Sequence, residues 1–565
     1  MKLTQLTAAV LLATGSLSAA AATYSVTPLP VQDIAKDNYA QSIDNTGSML
    51  TTVQYEFNPP IDLERLEDSG FYDASTYGNT SYSLEDEDDI RQGIFSNADF
   101  STIYNFILYY SSNNNVLTQH LAPYRSYVSD TVDADLVPGF DEVSEKFDDY
   151  SRSVRTIARD SLNRNVIVGV SEGLYTDLEY TNEDDEEVTY TYNTMRDQAF
   201  AQVNGVTKRL APEDTTLNGL SYAYAVNDNL QVAGYGTTSF LDSLDTAIEE
   251  CNDDEERGDQ PVEICLRNIL YTSAYSAAAQ VRATIWQLDG TGDVINLTTY
   301  PLLFTPEEDS TASYATRAYD INNNGIAVGD SATGETVYIS AYQSRSVATS
   351  FANGETTELL PRDENITSRA LSINDENWIT GWALRKPGSY ARERLFAYNL
   401  DTGEARYPQG FFINSATIGN AINNNNIIVG SSEFNYASDT NRETHAFMYD
   451  IQSDEFTDLN DLVGCDSEYT LVDAIDINDN NEIIANARVR VPARYANGNE
   501  ILNSAGETVL QDTIVAVKLS PLNSETTDSC DVDGDEEESY ERQGAAVSPL
   551  WLLTLAGFLG FRRRK

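Results

Sequence analysis

The chain has 565 residues, 41% of them apolar, which is too many for one small domain and enough to bury a large core. With 34 Tyr and 19 Phe the composition excludes a disordered chain. Lys and Arg total 35 against 89 Asp and Glu, a formal charge of −54, and this excludes nucleic acid as a partner because phosphate contacts need a basic footprint.

The chain opens with MKLTQLTAAVLLATGSLSAAAA. One lysine, an apolar stretch and small residues ending at Ala22 read as a secretory signal peptide over 1–22. A strand pattern, TYSVTPLP, follows from Thr23. Then one motif returns seven times: A-x-x-I-N, a polar turn, and a β-branched run ending in Gly. The copies are AQSIDNTGSM from Ala40, RDSLNRNVIVG from Arg159, AYAVNDNLQVAG from Ala223, AYDINNNGIAVG from Ala318, ALSINDENWITG from Ala370, GNAINNNNIIVG from Gly419 and AIDINDNNEIIAN from Ala474. Their pivotal turn residues are Asp44, Asn163, Asn227, Asn322, Asn374, Asn423 and Asn478, and the last four copies lie 49 to 55 residues apart. A fixed period of this size marks a propeller or a solenoid.

One copy imitates a calcium loop, since Asp320, Asn322, Asn324 and Gly325 fit D-x-N-x-N-G. An EF-hand needs a bidentate acid at its twelfth position, where this chain has Ser331. Sister copies replace the leading Asp by Ala225, Ser372 or Ala421. Ligands that vary while Ile and Asn persist describe a tight turn, not a metal site.

A second motif follows each first one: strand, short polar turn, strand. It is clearest in HAFMYDIQSDEFTDLND from His445, with a counterpart in each other unit, including YNFILYYSSNNNVLTQHL from Tyr104. Each unit therefore predicts four strands, A to D, the content of a propeller blade. At His445-Ala446-Phe447 the sequence resembles the HAF family of extracellular bacterial repeats, over about 23–520, although only this copy keeps the full triplet. The layout also resembles a family of Gram-negative envelope proteins. These resemblances imply a repeat fold and an envelope location, and no known activity.

The seventh unit lacks a strand D, while the strand pattern from Thr23 precedes any strand A. An N-terminal strand that completes the last blade would close a ring and remove an exposed edge. The expected fold is all-β: a propeller of seven four-stranded blades over 23–520, with six or eight as the alternatives.

The A–B and C–D turns are short, so the extra length at 58–99, 173–197, 237–280 and 491–511 falls on the opposite, B–C/D–A face. Function concentrates on long loops held by a rigid scaffold. The acidic runs lie there too: EDEDD from Glu85, NEDDEE from Asn182 and EECNDDEERGD from Glu249. They suit a basic partner or a cation, or simply keep the loops solvated. Tyr72, Tyr77, Tyr82 and Tyr175 either stack on sugar rings or pack loops onto blades. Of four cysteines, Cys251 and Cys265 flank one acidic loop and are expected to pair, leaving Cys465 with Cys530; three connectivities are open. No catalytic motif is present, and the two histidines, His120 on an expected strand D and His445 on a strand C, read as structural.

An acidic linker over 521–543 follows. In CDVDGDEEE, Asp531, Asp533 and Asp535 resemble the calcium loops of thrombospondin or dockerin repeats, with Glu536 departing from the expected Gly. Calcium is therefore the one cofactor to consider, against a plain charged linker. Residues 544–565 combine an apolar run from Ala545 to Phe561 with Arg562, Arg563, Arg564 and Lys565. The run is about 17 residues, just enough to span a bilayer. It resembles a GlyGly-type sorting tail, but only Gly544 precedes the alanines, so anchor and cleaved signal are both open. The function expected is a monomeric, non-catalytic envelope or secreted propeller that binds a polysaccharide or a basic protein. A polysaccharide hydrolase or lyase and a structural surface protein are the alternatives.

Overall fold

The computed structural model describes residues 23–72, 84–307, 310–386, 390–434, 442–464 and 467–522. Within them the strands pair into seven four-stranded antiparallel sheets and two further two-stranded hairpins. Each four-stranded sheet is a blade, with strands A to D running outward. Strand A is Ala35–Ile43 in blade 1, Thr156–Leu162 in blade 2, Ser221–Val226 in blade 3 and Thr316–Ile321 in blade 4. It is Ser368–Ile373 in blade 5, Thr417–Ile422 in blade 6 and Thr470–Ile477 in blade 7. Each strand A touches the strand A of both neighbouring blades, so the seven enclose an axis. The fold is the seven-bladed propeller that the repeats predict.

Blade 7 is completed from the start of the chain. Tyr24–Pro28 runs antiparallel to strand C, Leu510–Pro521, in a register from Tyr24↔Pro521 to Pro28↔Val517. This pairing covers the edge that strand C would otherwise expose.

Blade 1 departs from the sequence pattern. YNFILYYSSNNNVLTQHL, expected as strands C and D, has its first half in the helix Asn97–Ser112 and its second half in an irregular segment. Ser96 caps the helix by accepting from Asp99 N at 3.1 Å, and Phe100, Ile103, Tyr104 and Ile107 are buried on one side. Aromatic and β-branched residues favour strands, but here their spacing is helical and the spacing decides. Strands C and D are Tyr124–Ser129 and Ala134–Val137, so the first insertion extends to residue 123.

Two recurring devices build the blades. Each strand A carries a β-bulge, as between Ala318 and Asp320 opposite Gly329 and Val328. In blades 2 to 6 strand B sets Gly169, Gly234, Gly329, Gly381 and Gly430 against the bulge. A Cβ there would overlap the carbonyl of Ile157, Tyr222, Arg317, Arg369 or Ile418, which accounts for the glycine ending each β-branched run. On strand C, Phe200, Trp286, Phe351, Phe396 and Phe447 are fully buried between blades. Each such ring contributes roughly 1.5–3 kcal/mol of apolar burial.

Candidate functional site

The A–B turns meet around one mouth of the axis. Each pivotal amide is used twice. The Asn322 Oδ1 accepts from the N–H of Asn324 and Ile326, both at 3.1 Å, which fixes its own turn. Its Nδ2 donates to the carbonyl of Asn374 in the next blade at 3.0 Å. The same link runs from Asn227 to Asn322, Asn374 to Asn423, Asn423 to Asn478 and Asn478 to Asp44. Asp44 has no amide to donate, and its Oδ2 instead accepts from Arg164 N at 3.0 Å.

Asn163 is not part of this ring. Leu162 occupies the pivotal place, its carbonyl accepting from Asn165 N, while Asn163 and Arg164 form the turn itself at φ of 51° and 58°. The tighter turn shifts the alignment by one residue, which the sequence motif conceals. Blades 2 and 3 are joined one layer deeper, where Asp160 Oδ2 accepts from Val226 N at 2.8 Å. Asp476 makes the same link to Ile43 N, and Asp320 to Ile373 N. The stretch that imitates an EF-hand is therefore a structural turn with its leading carboxylate facing a neighbouring blade. Burial raises all three carboxyls, Asp160 to about 8 and Asp476 to about 7.

The other face is asymmetric. Blade 1 inserts the helix Asn97–Ser112 between strands B and C. Blade 2 inserts a hairpin, Thr176–Thr181 with Glu187–Tyr192. Blade 3 inserts the helices Ser243–Asn252, Val262–Leu270 and Ser273–Ala278. A disulfide between Cys251 and Cys265 ties the first two of these together. The insertions hold one another: Thr191 N donates to Val116 O at 2.7 Å, Arg267 Nη1 to Asn114 O at 2.7 Å, and Tyr271 Oη to Asn193 Oδ1 at 2.9 Å. The blade 7 loop joins them through Ala496 N and Ser101 Oγ at 3.1 Å.

Beneath this cap lies a cavity of about 570 Å³, lined by Tyr55, Tyr109, Tyr124, Tyr175 and Tyr271 around His120, Arg155, Glu172 and Arg196. His120 is buried, and burial lowers its imidazolium to about 3. The neutral ring donates Nδ1–H to Ser153 O at 2.8 Å and stacks on Tyr175 with centroids 3.7 Å apart, leaving Nε2 as an acceptor. Arg155 Nη2 bridges two buried carboxylates, Glu172 Oε1 at 3.1 Å and Asp197 Oδ1 at 2.6 Å. Asp197 also accepts from Tyr222 Oη at 2.6 Å and pairs with Arg196 at 3.4 Å. Burial raises Glu172, with Arg155 opposing it.

His120 thus sits in the wall of a cavity and not on a strand D. His445 is on strand C, its Nδ1 2.6 Å from Asp458 Oδ2 and its ring stacked on Phe434. The acidic runs occupy exposed helix and hairpin ends on the cap's outer side, and two meet where Asp259 accepts from Tyr180 Oη and Glu183 N. Tyr77, Tyr82, Cys465, Cys530, Asp531, Asp533, Asp535, the opening segment and the tail lie outside the described residues. Among the described residues no cluster of His, Cys, Asp and Glu suits a metal ion, and no helix is long and apolar enough to cross a membrane. Arg155, Glu172 and Asp197 escaped the sequence reading because each is a single charge among many.

The sequence matches, over residues 1–564, the family described as "Protein of unknown function (DUF3466)", and the chain belongs to that family. No curated protein matches it. Among solved structures it is similar to TolB from Acinetobacter baumannii, at 8% identity and a TM-score of 0.28, over 89% of this chain and 97% of that one. It is also similar to an acylaminoacyl peptidase from Pyrococcus horikoshii, at 10% identity and a TM-score of 0.27, over 59% of this chain and 47% of that one. Likeness at this level carries no argument about function.

Proposed function

We propose that the protein is an exported, non-catalytic propeller of the cell envelope that binds a saccharide in the capped cavity of blades 1 to 3. The carrying observation is that three separate insertions interlock over one cavity whose wall carries five tyrosines. Tyrosine faces pack on sugar rings, and the neutral His120 offers a hydroxyl acceptor whose tautomer is fixed by Ser153. Export is supported by the signal-peptide pattern of 1–22 and envelope retention by the basic-ended apolar tail. Calcium at Asp531, Asp533 and Asp535 and a basic partner for the acidic rim remain parts of this proposal. Glycan-array binding by the mature protein tests it, with Tyr109→Ala and Tyr124→Ala as variants. The expected result is a bound glycan lost in both variants at unchanged melting temperature. A bound glycan indifferent to both variants places the ligand elsewhere.

One observation favours a second reading, hydrolysis of a polysaccharide. Glu172 and Asp197 both lie within reach of one Arg155 nitrogen, and a pair of carboxyls flanking the scissile bond is what glycoside hydrolysis needs. Release of reducing sugar from a bound glycan, abolished in Glu172→Gln, would establish this reading.

A further inference from the structure

The protein carries a net charge of −54, yet the axial wall of blades 2 to 5 collects arginines and aromatic rings. The bulge of strand A sets Gln41, Arg159, Tyr224 and Tyr319 of blades 1 to 4 each into contact with its counterpart next door. Arg159 of blade 2 donates to Gln41 Oε1 of blade 1 at 3.0 Å, and its guanidinium lies 5.4 Å from the Tyr224 ring of blade 3. Tyr224 packs edge-on to Tyr319 of blade 4 at 5.0 Å, and Arg369 of blade 5 lies 5.1 Å from Tyr319 and 5.7 Å from Trp382. Arg317 lies 5.6 Å from Tyr235, which itself stacks on Tyr222 and Tyr224. The wall is thus a ladder of cations and rings running from blade to blade.

The charges do not balance. Arg317 and Arg369 share one carboxylate, Asp330, at 3.6 and 3.8 Å. Asp330 is 1% exposed and its Oδ1 has no partner. The Arg369 Nε is also buried and without a partner. Arg159 has no ion-pair partner among the described residues, its contacts being Gln41 and the Tyr224 ring. Three guanidinium groups therefore face one carboxylate, and the side chains of Arg317 and Arg369 stay about one third exposed although they lie at the centre of the ring. The oxygens of the deeper carboxyls Asp160, Asp320 and Asp476 are committed to main-chain N–H groups, and none of them forms an ion pair with these arginines among the described residues. Arg155 lines both the capped cavity and the smaller pocket that contains Arg159, Asp197, Tyr222 and Tyr224, where Asp197 is already paired with Arg155 and Arg196, so the ladder continues the cavity wall.

We infer that the axial wall of blades 2 to 5 is an anion seat for a short carboxylate-bearing saccharide, with Arg159, Arg317 and Arg369 receiving carboxylates and Tyr224, Tyr319 and Trp382 receiving ring faces. Guanidinium is the side chain whose geometry matches a carboxylate bidentately, and the same planar group tolerates stacking on tyrosine. The outer acidic loops do not prevent this, since charges beyond about 10 Å are screened at 0.1 M salt. They do disfavour a long polyanion, which would have to cross the acidic rim, and so select a ligand of few charges. The inference rests on the saccharide reading above and narrows it.

Calorimetric titration of the mature protein with trigalacturonate tests it, with maltotriose as the neutral control and inorganic sulfate as the charge-only control. The variants are Arg159→Gln and Arg369→Gln, each checked for an unchanged melting temperature, and Arg345→Gln, an arginine outside the ladder, as a control. Expected are binding of trigalacturonate, none of maltotriose, millimolar or weaker binding of sulfate, and at least a tenfold loss in Arg159→Gln and Arg369→Gln but not in Arg345→Gln. Trigalacturonate binding untouched by either ladder variant, or absent altogether, overturns the anion seat. Maltotriose binding that is lost in Tyr124→Ala overturns it while leaving the cavity reading intact. Silence of all three probes, together with an empty glycan array, removes both.

Discussion

The Asn478 amide donates to the carbonyl of Asp44 at 2.9 Å, across 434 residues of sequence. The contact joins the last blade to the first at the axis, while Tyr24↔Pro521 joins the same two ends at the rim. Closure is therefore made twice, by a side-chain ring inside and a strand outside. Asn374 occupies the middle of that ring, donating to Asn423 O and to Asn426 Oδ1 and accepting from Glu376 N and Trp378 N. Asn374→Ala should cost roughly 2–3 kcal/mol, because it leaves buried donors and acceptors without partners. Asn163→Gly keeps the left-handed turn and touches no ring bond, so it should stay within about 0.5 kcal/mol of the parent. Urea unfolding of the two variants compares them directly, and equal losses would contradict the placement of Leu162 in the ring.

Removal of residues 23–28 should expose the edge of Leu510–Pro521 along its whole pairing with the first strand. The expected outcome is aggregation or loss of a single cooperative transition, read by calorimetry and light scattering. A truncated protein that melts as the parent does would show that the axial ring alone suffices for closure.

Gly329→Ala should be among the most damaging single substitutions. The added methyl would meet the carbonyl of Arg317, which belongs to the neighbouring strand and cannot retreat without breaking the bulge. A loss of about 3 kcal/mol or more is expected. Gly354→Ala has open space around it but a φ of 80°, so it should cost only about 1–2 kcal/mol of backbone strain. Thermal melts of the pair separate overlap from strain.

Stability should fall as the pH rises from the acid range to about 8. In the unfolded chain an aspartyl carboxyl titrates near ~3.9, whereas in the folded protein Asp160 titrates at about 8 and Asp476 at about 7. Between those values the folded state holds protons that the unfolded state has released, so unfolding becomes easier as pH rises. The contribution is complete below about pH 4 and lost by about pH 8. The urea midpoint is expected to decline between pH 5 and pH 8, and the double variant Asp160→Asn with Asp476→Asn should flatten that decline. An unchanged slope in the double variant would assign the pH dependence to other groups.

Cys251→Ser with Cys265→Ser should loosen the cap and spare the blades. The bridge joins two helices of one insertion, and the second helix carries Arg267, which reaches Asn114 of blade 1. Hydrogen exchange should quicken in 243–278 and in the hairpin beside it, while the strand amides of blades 4 to 6 stay protected. Faster exchange throughout the propeller would mean that the cap contributes to the fold itself.

The sequence alone determined the repeat, its four strands per unit and the closure by the first strand. Those are properties of local alternation and turn chemistry, and a chain that writes Ile-Asn at four of its seven tight turns leaves little choice of where strands end. It also determined that the extra length falls on one face, because short and long connections alternate along the chain. The helix Asn97–Ser112 was hidden by residues that favour strands in isolation, and its amphipathic packing against the cap settled the matter. The shift from Asn163 to Leu162 was hidden because one turn is tighter than the rest, and only pairing across the strands registers that. The site itself was not legible. Arg155, Glu172 and Asp197 come from three different segments of blade 2, and Arg159, Arg317 and Arg369 from three different blades. Each is one charge among many in the chain, and only closure of the ring brings the guanidinium groups onto one axial wall, where Arg317 and Arg369 share a single carboxylate.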